Sequence, residues 1–165
     1  MRNPSKTSFL ARGLALAALV AGAATLAAPA AFAGECPAGK LVAEGEGQKP
    51  GPAMPKDVTD TVLASIDLSK EKVAVADHLF RIRRLEIKPG GVVPWHDHGD
   101  RPALIYIVQG EITEYASNCA VPIVHRAGDW SRDADLMHWW KNTGKRTVVL
   151  ISADILHDKA EEHMM

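Results

Sequence analysis

Two histidines separated by one residue, His96 and His98 in Pro94-Trp95-His96-Asp97-His98, carry the strongest chemical signal in the chain. Alternate residues of a β-strand share a face, so the two imidazoles project together while Asp97 points away. A third histidine, His138, lies forty residues after His98, in His138-Trp139-Trp140-Lys141-Asn142. Neutral imidazole offers one nitrogen lone pair to a metal ion, and three of them from two strand regions make one face of a coordination shell. Iron, zinc, manganese, nickel and copper all accept such a set. A lone histidine would read as a hydrogen-bonded or surface residue. A His-x-His pair in a strand, with a third histidine on a later strand, reads as metal binding.

The elements that must position these residues are short strands. Leu79 to Lys88, Val92 to His98, Ala103 to Gln109 and Glu111 to Ala116 follow one another, with Pro89-Gly90-Gly91 and Gly110 as turns. Val121 to Arg126, the neighbourhood of Trp130, Leu136 to Trp140 and Thr147 to Asp154 complete the series. Thr59 to Leu68 fits a strand or a short helix, and its β-branched content favours the strand. In Leu79 to Lys88, Phe80 and Ile82 fall on one face and Leu85 and Ile87 on the other. A bulge near Arg83-Arg84 would bring all four to one side. Short strands at regular spacing, divided by Gly, Pro and Asp, indicate an all-β sandwich or barrel.

The first 33 residues read as a secretory signal peptide. Arg2, Lys6 and Arg12 precede an uninterrupted Ala/Leu/Val/Gly/Thr run from Gly13 to Ala28, and Ala31-Phe32-Ala33 supplies a cleavage site. The expected location is periplasmic or secreted. The expected organisation is 1–33 signal peptide, 34–58 N-terminal arm, 59–156 one β-domain and 157–165 polar tail. The exported part carries sixteen basic and twenty acidic residues, a net of −4. That balance argues against nucleic acid, and against a membrane surface once the signal is cleaved. Export permits a disulfide between Cys36 and Cys119, against the alternative of two separate thiols.

Gly90-x5-His96-x-His98, followed by a hydrophobic strand ending at Gly110, resembles the first motif of the cupin superfamily. Gly128 and then His138-x3-Asn142 resembles the second, so the likeness runs from about Leu79 to Asp154. It implies a single-domain cupin-type β-barrel (jelly roll) with a metal inside, held by His96, His98 and His138. Cupins usually add a glutamate ligand seven residues before the glycine that closes the first motif, and that position is Ala103. The Pro-x-Gly of the second motif is replaced by Asp133-Ala134-Asp135. The site therefore resembles the three-histidine cupins, which include thiol and diketone dioxygenases. Asp100, two residues beyond His98, is the alternative fourth ligand.

Around this site, strand parity sets Trp140 and Asn142 on the face of His138, and Ile105 and Ile107 on the face of Ala103. An apolar wall suits a small organic ligand. Arg101 is a candidate to clamp a substrate carboxylate, against an ion pair with Asp97 or Asp100. Trp140 is a candidate to line the pocket, against core packing. Arg101 and Trp140 are the catalytic candidates. Tyr106 and Tyr115 could donate protons or stack, against core or surface roles, and His125 could act as acid or base, against an incidental place at a strand end. The first functional reading is an exported, iron(II)-dependent dioxygenase acting on a small chelating substrate. Its alternatives are a zinc- or manganese-dependent isomerase or decarboxylase, and a non-catalytic module that binds a small molecule or a metal. Exposed strand edges are compatible with a homodimer.

Overall fold

The computed structural model describes residues 35–157. The segment expected to be a signal peptide and the tail beyond His157 lie outside the described residues. Eight strands account for most of the rest: β1 (Lys56–Asp67), β2 (His78–Asp97), β3 (Ala103–Gln109), β4 (Glu111–Ala116), β5 (Ile123–Arg126), β6 (Trp130–Asp133), β7 (Met137–Lys141) and β8 (Val148–His157). All the pairings are antiparallel. The fold is all-β, as the alternating strand signals require, and the segment from Thr59 is strand.

β2 organises the molecule. Its first half, His78 to Ile87, lies between β1 and β8, while its second half, Val92 to Asp97, pairs with β7. One strand thus belongs to two walls, one formed with β1, β8, β3 and β6 and the other with β7, β4 and β5. Strands that bend from one sheet into the next make the corners of such barrels. The expected turn at Pro89-Gly91 is this bend inside a continuous strand. Gly90 sits at φ +75°, a conformation open to glycine and strained for other residues.

Asn142 clamps the bend. Its backbone exchanges hydrogen bonds with Gly90 and Gly91. Its Nδ2 donates to the carbonyls of Ile87 (2.9 Å) and Arg146 (2.8 Å), and its Oδ1 accepts from Gly144 N–H at 2.9 Å. Every polar atom of this fully buried amide is used, which is the condition for burying one without penalty.

The expected bulge near Arg83-Arg84 is absent, because β2 and β8 pair without a shift from His78 to Ile87. The irregularity lies in β1, between Val62 and Ala64. Strict alternation instead turns Arg81, Arg83, Leu85 and Ile87 inward and Phe80, Ile82, Arg84 and Glu86 outward. Buried guanidinium groups are tolerated because a buried carboxylate meets them. Arg81 Nε and Nη2 donate to the two oxygens of Asp154 at 3.1 and 2.9 Å, and Arg83 Nη2 donates to the same carboxylate at 3.1 Å.

Ile87, Ile107, Ile112, Trp140, Val148 and Leu150 are central to the apolar core below these polar layers. The N-terminal arm lies against the end of β4. Cys36 and Cys119 form a disulfide, and Leu41 makes a β-bridge to Cys119. No helix among the described residues is long and apolar enough to cross a membrane.

Candidate metal centre

β2 and β7 place the three histidines. His96 and His138 face each other across the ladder, and His98, two residues along β2, turns to the same side. Inward parity changes between Ile87 and His96, through the Gly90 bend and a register shift between Val93 and His96. Without that change the pair would face solvent.

Each ring is fixed by an acceptor at Nδ1. His96 Nδ1 lies 2.8 Å from the Pro94 carbonyl, His98 Nδ1 2.6 Å from the Arg101 carbonyl, and His138 Nδ1 2.6 Å from Glu114 Oε1. Carbonyl oxygens only accept, so Nδ1 of His96 and His98 carries the proton and Nε2 is left with a bare lone pair. The Nε2 atoms converge, with His96 3.0 Å from His98 and 3.2 Å from His138. Nitrogens bound to one ion at roughly 2.1 Å sit about 3.0 Å apart on adjacent octahedral positions and about 3.4 Å apart on a tetrahedron. The observed spacing falls in that interval. These residues form a group that can hold a metal ion.

Electrostatics keep the nitrogens available. Burial, followed by the positive charge of His138 and His98, holds His96 well below the usual histidine range. Burial likewise pushes His98 down to about 3. For His138, burial is outweighed by the Asp133 and Glu114 carboxylates, and its affinity for a proton rises. A proton held there in the absence of metal marks where a cation is wanted.

No family profile and no curated protein matches this chain. Solved structures do resemble it. A predicted oxalate decarboxylase from Thermotoga maritima is 19% identical, with 74% of this chain and 98% of that one covered at a TM-score of 0.50. The cupin domain of Schizosaccharomyces pombe Cnp3 is 18% identical over 65% of this chain and 69% of that one, TM-score 0.48. A recombinant oxalate oxidase in complex with glycolate is 21% identical over 68% of this chain and 61% of that one, TM-score 0.48. The fold is a cupin fold.

Two acids beside the imidazoles escaped the sequence reading. Glu114, fully buried, accepts from His138 through one oxygen and from His125 Nε2 through the other, at 2.7 Å. Those bonds outweigh burial and bring its carboxyl down to about 2. Asp133, also buried, accepts from the Ser131 hydroxyl, and burial raises its carboxyl to about 6. Parity would have found the first, since Ile112, Glu114 and Ala116 alternate inward on β4. The second sits on a four-residue strand too short to read as one. His125, expected to be incidental, is buried beside Trp140 with ring centroids 4.5 Å apart.

The remaining candidates fall in different places. Trp140 lines the cavity at the metal centre, its ring centroid 5.6 Å from that of His138. Ile105 lines it too, with Leu85, Val93 and Leu150. Asp100 is exposed and belongs to neither of the metal-capable groups among the described residues. Arg101 is buried, and its Nε lies 3.9 Å from Asp154 Oδ2, so the ion pair expected with Asp97 or Asp100 is replaced by an approach to Asp154. Its contribution to the centre is the carbonyl that orients His98. The cavity measures about 30 Å³, room for about two water molecules. Arg83 and Ser152 line it opposite the imidazoles.

Proposed function

We propose that this cupin is an exported metal-dependent protein that acts on a small, anionic, chelating organic substrate, with iron(II) as the first metal and dioxygenase chemistry as the first reaction. The observation that carries the reading is the convergence of three imidazole Nε2 atoms whose Nδ1 positions are each held by an oxygen. Such outer partners fix tautomer and ring orientation, which is the arrangement a metal site needs before its ion arrives. His96, His98 and His138 would hold the metal on one face. Iron, when bound, would supply activation of O2.

The chain's own residues then have separable tasks. Leu85, Val93, Ile105, Trp140 and Leu150 exclude water from the exposed side of the site. A dry, apolar pocket strengthens every electrostatic interaction within it. Arg83 also lines the cavity, its guanidinium paired with Asp60 and Asp154. Glu114 holds His138 in place.

Metal analysis of protein purified from its exported compartment tests the reading, together with O2 consumption on a panel of thiols, diketones and catechol-like chelators. Iron and O2 uptake are expected. Zinc or manganese with no uptake points to the isomerase or decarboxylase alternative. A second, non-catalytic reading draws on the cavity of about 30 Å³, which in this conformation admits little beyond the metal and one small molecule. Tight ligand binding without turnover would favour it. His96→Ala is expected to abolish stoichiometric metal binding while leaving the fold intact, and full metal occupancy in that variant would refute the site.

A further inference from the structure

Asp133 is a buried acid without a completed set of partners. Its Oδ1 accepts from Ser131, but its Oδ2 has no hydrogen-bond partner among the described residues. That bare oxygen lies 3.8 Å from His138 Nε2, and Asp133 lines the same cavity as all three imidazoles. The other buried acids are matched. Glu114 serves His125 and His138, and Asp154 serves Arg81 and Arg83, whereas the half-buried Asp60 gives one oxygen to Arg83, leaves its Oδ1 without a partner among the described residues, and lies outside this cavity. An unsatisfied carboxylate oxygen in an apolar setting is costly, by several kcal/mol, unless a positive charge faces it.

Resting on the metal-site reading above, we propose that Asp133 is the carboxylate of the metal centre and completes, with His96, His98 and His138, a four-residue donor set. The ladder between β3 and β6 supports this, because Asp133 pairs directly with Ala103. Residues facing each other across antiparallel strands project from one face with Cβ atoms about 5 Å apart. Ala103, buried and small, leaves the adjoining space to its partner. Position 103 is also where the sequence resemblance placed a glutamate, so the charge missing from β3 is supplied one strand away.

The donor set has consequences for what binds. Three neutral imidazoles and one carboxylate leave a divalent ion with one net positive charge, which suits a monoanionic ligand at the open positions. The 3.8 Å from Oδ2 to His138 Nε2 exceeds the roughly 3.0 Å between adjacent ligands of one ion, and Asp133 stands outside the tight group of His96, His98 and His138, so its side chain has to move toward the imidazoles to join the ion.

Titration of the purified protein with zinc, in competition with a chromophoric chelator, tests the assignment without relying on activity. Asp133→Asn, of nearly the same shape, is expected to raise the zinc Kd about tenfold or more with an unchanged circular dichroism spectrum. Asp133→Ala should weaken binding similarly, and adding Ala103→Glu to it should bring the Kd back to within about threefold of wild type. Asp133→Asn binding zinc within about twofold of wild type overturns the proposal, as does a double variant no better than Asp133→Ala. His96→Ala is the reference. Loss of zinc in His96→Ala but not in Asp133→Asn removes Asp133 alone, whereas a wild-type protein that takes up no zinc, iron or manganese removes the metal site itself.

Discussion

The two walls of this barrel bury polar groups in opposite ways. On the wall of β1, β8 and the first half of β2, Arg81 meets both oxygens of Asp154 and Arg83 bridges Asp154 and Asp60. On the wall of β7, β4 and the second half of β2, three imidazole nitrogens face one another with no hydrogen to share between His96 and His98, and Asp133 of β6 turns a carboxylate oxygen toward His138 from the opposite wall. Both walls are dense in buried charge. On the first, carboxylates of the same wall meet the guanidiniums, whereas on the second the converging imidazole nitrogens are left for something added. Counting buried polar residues would rank them alike, whereas accounting for their partners separates a structural network from a functional one.

The sharpest break of this comparison comes from the guanidinium wall. Asp154→Ala removes the carboxylate that Arg81 and Arg83 share in the interior, and the expected cost is roughly 3–5 kcal/mol of stability, read from denaturant unfolding. A variant that keeps its stability but loses metal would show that the two walls are one functional unit. On the imidazole wall, Glu114→Gln keeps the shape but weakens the hold on His138 and His125. Its expected effect is a loss of about 10–100-fold in metal affinity, with a smaller change in stability. A dominant loss of stability there would erase the distinction between the walls.

Acid sharpens the contrast further. At pH 5 the unfolded chain would carry protons on all three imidazoles of the site. The folded, metal-free protein carries one on His138, whose proton affinity is raised, and one on Asp133, raised to about 6, while His96 lies well below the usual range and His98 is down at about 3. The unfolded state then binds about one proton more, so stability falls by roughly 1.4 kcal/mol per pH unit on acidification between about pH 5.5 and 4.5. Glu114, lowered to about 2, and Asp154, also lowered, add to the loss below that window. Calorimetric unfolding across this range checks it. Metal-loaded protein should show a flatter profile until protons displace the ion, and a metal-free protein that gains stability on acidification would contradict the assigned charges.

What was readable in the sequence follows the same division. His96, His98 and His138 were legible because strand parity and spacing suffice to align them. Gly90 and Gly110 were legible as turning points, both at positive φ. Phe80 and Ile82 were expected on the side of Leu85 and Ile87, since periodicity follows apolar residues and cannot foresee that Asp154, 73 and 71 residues along, draws Arg81 and Arg83 inward instead. Asp133 was invisible as a site residue for a related reason. Its meaning depends on pairing with Ala103, and register between distant strands is not written in either strand alone.

The membership of β2 in both walls also shapes how the chain must fold. His78 pairs with His157 and Ile87 with Val148, so the first half of the strand waits for the last segment of the barrel to be synthesised. Contacts so distant along the chain make for slow, cooperative assembly, on the order of milliseconds to seconds once the chain is complete. A chain lacking β8 therefore leaves the first half of β2 with β1 alone as its strand partner among the described residues. An ion encountered during that interval finds scattered imidazoles and no preformed cage.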